Sequence, residues 1–296
     1  MYQQKKWLYL SLLIIAALVL IVGVPVFRRG GASMQARTAV IISDVNSSDD
    51  SAVPAAVEQL IADFTDEPNL PQALWQIGQQ YYNNAVRYDR ADFEEQAADY
   101  YRKAIALRER IIQEWPHSDL VPKAHFTAAI IYSQELHEYE KGIQYFQKVV
   151  DNWPDYKYAY HAQYLIGSYY ERLKKPKGIA QADAKIEAAY KAVIEKYPDS
   201  PSAPHAARKL GNLYLNKERW ADAAYYLQMF VQTDKGRAPK HLFLSVLLDL
   251  VRLYEEMGEL DMAAETYHTF LQSAQPDHPR AKAIRTKLEK LQGAKK

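Results

Sequence analysis

The sequence predicts an all-α protein, a solenoid of about five helical hairpins preceded by one transmembrane helix. Three observations predict it. Apolar residues recur at steps of three and four through most of the chain beyond Val53. Two stretches, Ala207–Phe230 and Leu247–Phe270, carry the same landmarks at an offset of 40 residues. Trp7–Phe27 is an apolar run with no charged residue.

The N-terminal elements follow from that last run. About 21 apolar residues make a helix of roughly 30 Å, the thickness of one bilayer core. A secretory signal has a shorter apolar core, about 7–15 residues. The sequence therefore predicts a retained anchor over residues 1–27, with Trp7 and Tyr9 at one interface and Phe27 at the other end. Lys5 and Lys6 precede the span and Arg28 and Arg29 follow it, which nearly balances the charges that set orientation. With the terminal amine added to the first side, the N-terminus is expected in the cytoplasm and the bulk of the chain outside it. Residues 28–51, rich in Gly, Ser, Asp and Asn, are expected to form a flexible tether. Residues 52–70 are expected to form a capping helix, with Ser51 as N-cap, Pro54 in the first turn, and Val53, Val57, Leu60, Ile61 and Phe64 on the apolar face.

The array is expected over residues 71–296. Its first hairpin begins near Pro71 and carries Ile77-Gly78-x2-Tyr81. An insertion, Asn84 to about Asp92, displaces the return helix to Phe93–Trp115, where Pro116 stops it. The second hairpin spans Lys123–Pro154, with Gly142 at the small contact position. The third begins near Tyr160, carries Ile166-Gly167-x2-Tyr170, and has extra turn residues from Lys174 to about Asp183. The fourth and fifth are the repeated pair. In them Leu210 falls on Leu250, Tyr214 on Tyr254, Ala223 on Ala263, Leu227 on Tyr267 and Phe230 on Phe270. Small residues mark where two helices approach closely, and the tyrosines fill the space between hairpins. A helix from Arg280 to Leu291 closes the C-terminal end. One hairpin cannot bury its own apolar face, so the stack folds together.

Composition narrows the chemistry. The 296 residues contain no cysteine, which excludes disulfides, thiol catalysis and iron–sulfur clusters. The 37 basic and 36 acidic residues leave a net charge of +1, so no electrostatic footprint for nucleic acid exists. No H-E-x-x-H, Gly-rich phosphate loop or G-x-S-x-G occurs, and the eight histidines include no i, i+4 pair. His117-Ser118-Asp119 has catalytic residue types, but one turn cannot build a triad. The sequence therefore predicts no enzyme, no catalytic residue, no metal and no cofactor.

The landmarks Leu210-Gly211-x2-Tyr214, Ala223 and Leu227, with Leu250, Tyr254, Gly258, Ala263 and Tyr267, resemble the tetratricopeptide repeat. Phe230 and Phe270 stand where its final alanine belongs. The phrases Tyr197-Pro-Asp-Ser-Pro and Asp222-Ala-Ala-Tyr-Tyr-Leu227 are similar to bacterial cell-envelope members. These include the Tol–Pal-associated division coordinator and the outer-membrane assembly lipoprotein, though this chain departs from both in its N-terminus, which is expected to be a membrane span with no lipidated cysteine. The resemblance implies a groove lined by first helices that binds proteins. Mapped residue by residue, it implies Trp75, Gln76, Gln79, Tyr82 and Asn83 in the first hairpin, and His161, Tyr164, Ser168 and Glu171 in the third. It further implies His205, Arg208, Lys209 and Asn212 in the fourth, and Asp249, Arg252 and Glu256 in the fifth. Arg208 with Asn212 resembles part of a clamp for a peptide carboxylate. The expected function is a membrane-anchored scaffold that docks envelope proteins, as an assembly factor or an accessory subunit of a membrane complex. A periplasmic holding chaperone is the alternative, and an envelope enzyme with an unread site a remote one. Expected partners are other proteins, and the membrane through one helix. The expected location is the bacterial inner membrane, with the repeats in the periplasm.

Overall fold

A computed structural model describes residues 32–47, 49–177 and 182–293. The expected anchor, with Trp7, Tyr9 and Phe27, lies outside the described residues. Among the described residues no helix is long and apolar enough to cross a membrane. All regular structure among them is helical. The chain divides into two compact units, Met1–Val121 and Pro122–Lys296, where the sequence predicts one array from residue 71.

In the first unit, α1 (Met34–Val45) and α2 (Val53–Asp63) precede a long hairpin of α3 (Leu70–Asp89) and α4 (Glu94–Glu114). Helix α1 corrects the expected tether. Its buried residues Thr38, Ile41 and Val45 lie three and four apart on one stripe, and the Ser33 hydroxyl caps it by accepting from Ala36 N–H. Two side chains of α3 dock its end. Asn84 donates to the Val45 carbonyl at 2.9 Å, and Gln80 to the Asn46 side chain at 2.7 Å. Helix α2 forms as expected, with Pro54 in its first turn, but Ala52 rather than Ser51 holds the N-cap position and no side chain caps it. Ser51 N–H instead donates to Asp49. Lys103 of α4 pairs with Asp50 at 2.8 Å, and Arg110 pairs with Glu58.

The expected insertion at Asn84–Asp92 is mostly helix. Asn84 and Ala85 are buried and extend the apolar stripe of α3 to Asp89, so the hairpin lengthens instead of looping out. Lys174–Lys177, expected as loop, likewise prolongs a helix.

The second unit opens on α5, Val121–Ile130, which runs into a π turn at Ile131–Glu135. It continues with α6 (Tyr139–Asn152), α7 (Ala159–Lys177), α8 (Ala182–Lys196), α9 (Ser202–Leu215), α10 (Trp220–Thr233), α11 (Lys240–Glu256), α12 (Leu260–Ser273) and α13 (Ala281–Gly293). From α6 onward each helix packs on the next. The paired landmarks occupy equivalent settings. Leu210, Leu250, Tyr214, Tyr254, Ala223, Ala263, Leu227, Tyr267, Phe230 and Phe270 are all buried.

One turn closes four hairpins. Asp92, His137, Glu218 and Gly258 each take a positive φ, of 60°, 55°, 55° and 73°, two residues before the return helix. The next N–H then reaches back to a tyrosine carbonyl: Phe93 to Tyr88, Arg219 to Tyr214 and Glu259 to Tyr254. This is the bond that closes a Schellman motif. In the second hairpin Glu138 N–H reaches Tyr132 O at 2.7 Å with one residue more in between. The π turn at Ile131–Glu135 absorbs that extra residue. It also brings Ser133 against Gly142, where a Cβ would overlap the Ser133 hydroxyl.

Turns between hairpins repeat as well. After Trp115, Trp153 and Tyr197, each followed by proline, the aromatic carbonyl accepts from the residue three on: Ser118, Tyr156 and Ser200. The turn between α10 and α11 lacks that phrase. There the buried Asp234 carboxylate takes its place and accepts from Ala238 N–H at 2.9 and 3.1 Å.

Candidate partner-binding surface

In the first unit the structure removes Trp75 from the mapped surface. Trp75 is 7% exposed, and the Arg108 guanidinium lies 4.9 Å from its ring centroid. Arg108 is itself buried and donates to Ala104 O at 2.7 Å. Burial lowers its pKa to about 10. Trp75 is therefore a packing residue of the α3–α4 hairpin, which corrects its placement in a groove. Gln76 and Asn83 are exposed and Tyr82 and Gln79 half-buried; Gln79 donates to Asn83 at 3.1 Å. Tyr82 lies against the Tyr101 ring.

In the second unit the structure brings several mapped residues together. His161 and Tyr164 of α7 lie nearly parallel, 6.3 Å apart at an interplanar angle of 9°. Tyr164 meets His205 of α9 edge-on at 6.4 Å. On the other side His161 lies 6.2 Å from Phe126 of α5, and Phe126 stacks on Tyr158 at 5.4 Å. The result is a row of five rings, Tyr158, Phe126, His161, Tyr164 and His205, four of them carried by three helices that are not consecutive and Tyr158 by the turn before α7. Tyr158 is exposed and the other four half-buried. Tyr190 of α8 lies beneath, 5.5 Å from Tyr164.

The electrostatics of the row follow from burial. It pushes the Tyr164 phenol up and both imidazoles down. For His205 the charges of Arg208 and Arg237 add to the lowering, and Asp234 opposes them. At neutral pH both imidazoles are thus neutral, each with one donor and one acceptor nitrogen. Arg208, one turn after His205, has a buried Nε without a hydrogen-bond partner. Of the acids, Glu171 bears on Tyr164 and pairs with Lys209, and Asp234 bears on His205 and accepts from Ala238 N–H. Asp249 lies 3.6 Å from Arg252. Burial raises the Tyr190 phenol, with the Glu171 charge adding to it. Asn212 is half-buried and Ser168 likewise, while Glu256 and Arg252 are exposed.

Of the mapped residues, His161, Tyr164 and His205 lie in this cluster with Arg208 beside it, and Phe126 and Tyr158, which the mapping does not include, lie in it too. For Tyr158 a signal was present in the alternate tyrosines Tyr156, Tyr158 and Tyr160 around the start of α7. Which helix those rings meet is a long-range fact. Among the described residues no group of His, Asp or Glu could hold a metal ion. His117, Ser118 and Asp119 form a surface turn in which Leu120 N–H donates to Ser118 Oγ at 3.3 Å.

The chain shares its fold with BtubC (BKLC) from P. vanneervenii. The likeness spans 88% of this chain and 93% of that one, at 14% identity and a TM-score of 0.51. PilW, described as a widely conserved type IV pilus biogenesis factor, gives 16% identity over 86% of this chain and 99% of its own, with a TM-score of 0.44. YrrB, described as a TPR protein with an unusual peptide-binding site, gives 16% identity over 78% and 98%, with a TM-score of 0.42. No protein-family model matches the chain, and no curated protein matches it by sequence. The likeness to BtubC shows the helical fold and no more. The functional reading rests on the ring row, which consists of side chains and not of fold.

Proposed function

We propose that the protein is a tetratricopeptide-type scaffold that docks other proteins on the face of α5, α7 and α9. The single observation that carries this reading is the row of five rings with Arg208 at its edge. Half-buried aromatic and arginine side chains, rigid and only partly covered, are the groups that anchor protein interfaces. No catalytic constellation accompanies them. In this reading Trp7–Phe27 holds the chain in the bacterial inner membrane, the hairpins stand in the periplasm, and the partner belongs to an envelope complex. The role is that of an assembly factor or accessory subunit.

The test is co-purification from detergent extracts followed by mass spectrometry, with the native chain beside Tyr158→Ala and Arg208→Glu. Tyr158 is exposed and Arg208 half-buried with its Nε covered, so circular dichroism of each variant accompanies the capture. The expected result is a near-stoichiometric partner captured by the native chain and lost from both variants. Absence of any such partner, or a partner indifferent to both changes, overturns the reading. Protease treatment of intact spheroplasts tests the placement, and hairpins protected from added protease would refute it.

A further inference from the structure

We infer that the outward side of α1 around Val40, with the groove beside it, rests on the lipid surface that holds the chain's apolar run. The inference rests on the anchored reading above and says which part of the first unit meets the membrane. Three observations carry it.

The first is an apolar groove between α1 and α2. It encloses about 230 Å³ and is lined by Arg37, Val40, Ile41, Asp44, Ala56 and Gln59. Val40 is 51% exposed there, while Ile41 is buried. A single exposed valine is ordinary, but one beside an open apolar groove leaves contiguous apolar surface in water. Thr38, Ile41 and Val45 are spent on the unit's own core, so α1 lies on the headgroup layer and does not sink into it.

The second is charge. No acidic residue precedes Asp44, while Lys5, Lys6, Arg28, Arg29 and Arg37 all do. Between Ser33 and Ser43 the one charged residue is Arg37. Its guanidinium pairs with Asp63 and lies 5.3 Å from the centroid of the Phe64 ring. The exposed Ala36, Ala39, Val40 and Ser43 therefore share their side of the helix with no carboxylate. Helix α4 of the same unit instead turns Glu94, Glu95, Asp99 and Arg102 to solvent. A side that meets anionic headgroups is attracted through basic residues and repelled by carboxylates.

The third is reach. Residues 28–33 separate Phe27 from α1. Six extended residues span at most about 20 Å, and the headgroup layer outside the apolar core is itself about 5–8 Å deep. The first turn of α1 is thus held close to lipid wherever the rest of the chain points. Lipid contact becomes intramolecular, and a patch too weak to bind vesicles alone is kept in place by effective concentration. A protein bound to this side would have to displace lipid that is always present.

The experiment uses the full chain in vesicles of phosphatidylcholine and phosphatidylglycerol. The chain has no cysteine, so one introduced thiol carries a fluorophore at a chosen place. Val40→Cys, Arg102→Cys and Leu18→Cys are compared by quenching from nitroxide-labelled lipid and from aqueous iodide, with circular dichroism of each. The expected result is strong lipid quenching at positions 18 and 40, and iodide quenching at 102. With the label moved to Ser43→Cys, adding Val40→Asp should cut the lipid-bound fraction about tenfold, the loss of one apolar side chain's burial. Lipid quenching at position 40 no greater than at 102, with position 18 quenched, overturns the inference and leaves the anchor standing. Protection of position 40 from lipid and iodide alike shows a protein on this side, a second copy or another subunit, and also overturns it. If position 18 escapes lipid quenching, the anchored placement and this inference fall together.

Discussion

Gly142→Ala gives a strict test of how the second hairpin is packed. An alanine Cβ there would overlap the Ser133 hydroxyl and lie 3.0 Å from both Ser133 Cβ and Ala129 O. Ala129 O belongs to the backbone of α5, and Ser133 sits in the π turn, so neither retreats without moving the helix. Overpacking of this kind costs about 1–3 kcal/mol, while alanine in a helix interior gains about 0.5–1 kcal/mol over glycine. The expected net loss is about 1–2 kcal/mol, read as a lower urea midpoint at unchanged m. Gly78→Ala is the control. There a Cβ meets only Arg108 Nη1 at 3.3 Å, Leu107 Cβ at 3.4 Å and Ala104 O at 3.5 Å. It should be neutral or stabilising by a few tenths of a kcal/mol, since helix propensity then dominates. The buried Ser133 hydroxyl has no hydrogen-bond partner, so Ser133→Ala should cost little by itself. Combined with Gly142→Ala it should recover about half the loss, because the worst overlap goes and the two 3.0 Å approaches remain. Additive losses in the double variant, or equal effects at Gly142 and Gly78, would refute this account of the π turn.

Glu218→Gly should stabilise by about 0.5–1 kcal/mol, since glutamate holds φ at 55° there while glycine adopts that region freely; Gly258→Ala should lose a similar amount, both by urea midpoint. Asp234→Ala should cost about 1–3 kcal/mol by leaving Ala238 N–H buried and unbonded, and Asp234→Asn should cost less because one acceptor oxygen remains. Asn84→Ala removes the bond to Val45 O and should speed hydrogen exchange in α1 by about tenfold while α10–α12 are unchanged. His125 is 4% exposed between Tyr145 and Trp153, and burial, with Lys148 adding, holds its pKa at about 4 against 6.5 unfolded. Because the folded state resists the proton, its contribution is complete above pH 6.5 and falls as pH drops towards 4, by about 2 kcal/mol at pH 5. His125→Phe should flatten that part of the acid limb, and an equal slope in both proteins would sink the assignment.

The hairpins were legible because their landmarks are set by contacts made within each repeat. Leu210 and Leu227 share one core inside one 40-residue phrase. Helix α1 was hidden for the opposite reason. Its stripe of Thr38, Ile41 and Val45 is short, polar residues flank it, and its partners Gln80 and Asn84 lie more than thirty positions away. Lengthening of α3 read as an insertion because departure from the consensus length looks the same whether the added residues are helical or not. The positive φ at Asp92, His137 and Glu218 leaves almost no trace in composition, whereas Gly258 does.

Legibility at the surface obeyed a narrower rule. Offsets along one helix identify which side chains leave the hairpin core, and that sufficed for His161, Tyr164, His205 and Arg208. They do not say what a neighbouring hairpin places beside them. Trp75 satisfied the same offset and was nonetheless covered, because Arg108 on the return helix lies over its ring. Phe126 and Tyr158 failed the offset and yet complete the row, because α5 and the turn before α7 converge there. A position rule is thus sound for packing within a hairpin, which repeats, and unsound for the surface that several hairpins build together. That surface depends on residues that differ from one hairpin to the next. The ring row exists because three first helices and the turn before α7 carry different aromatic residues, and only their packing together turns those into one surface.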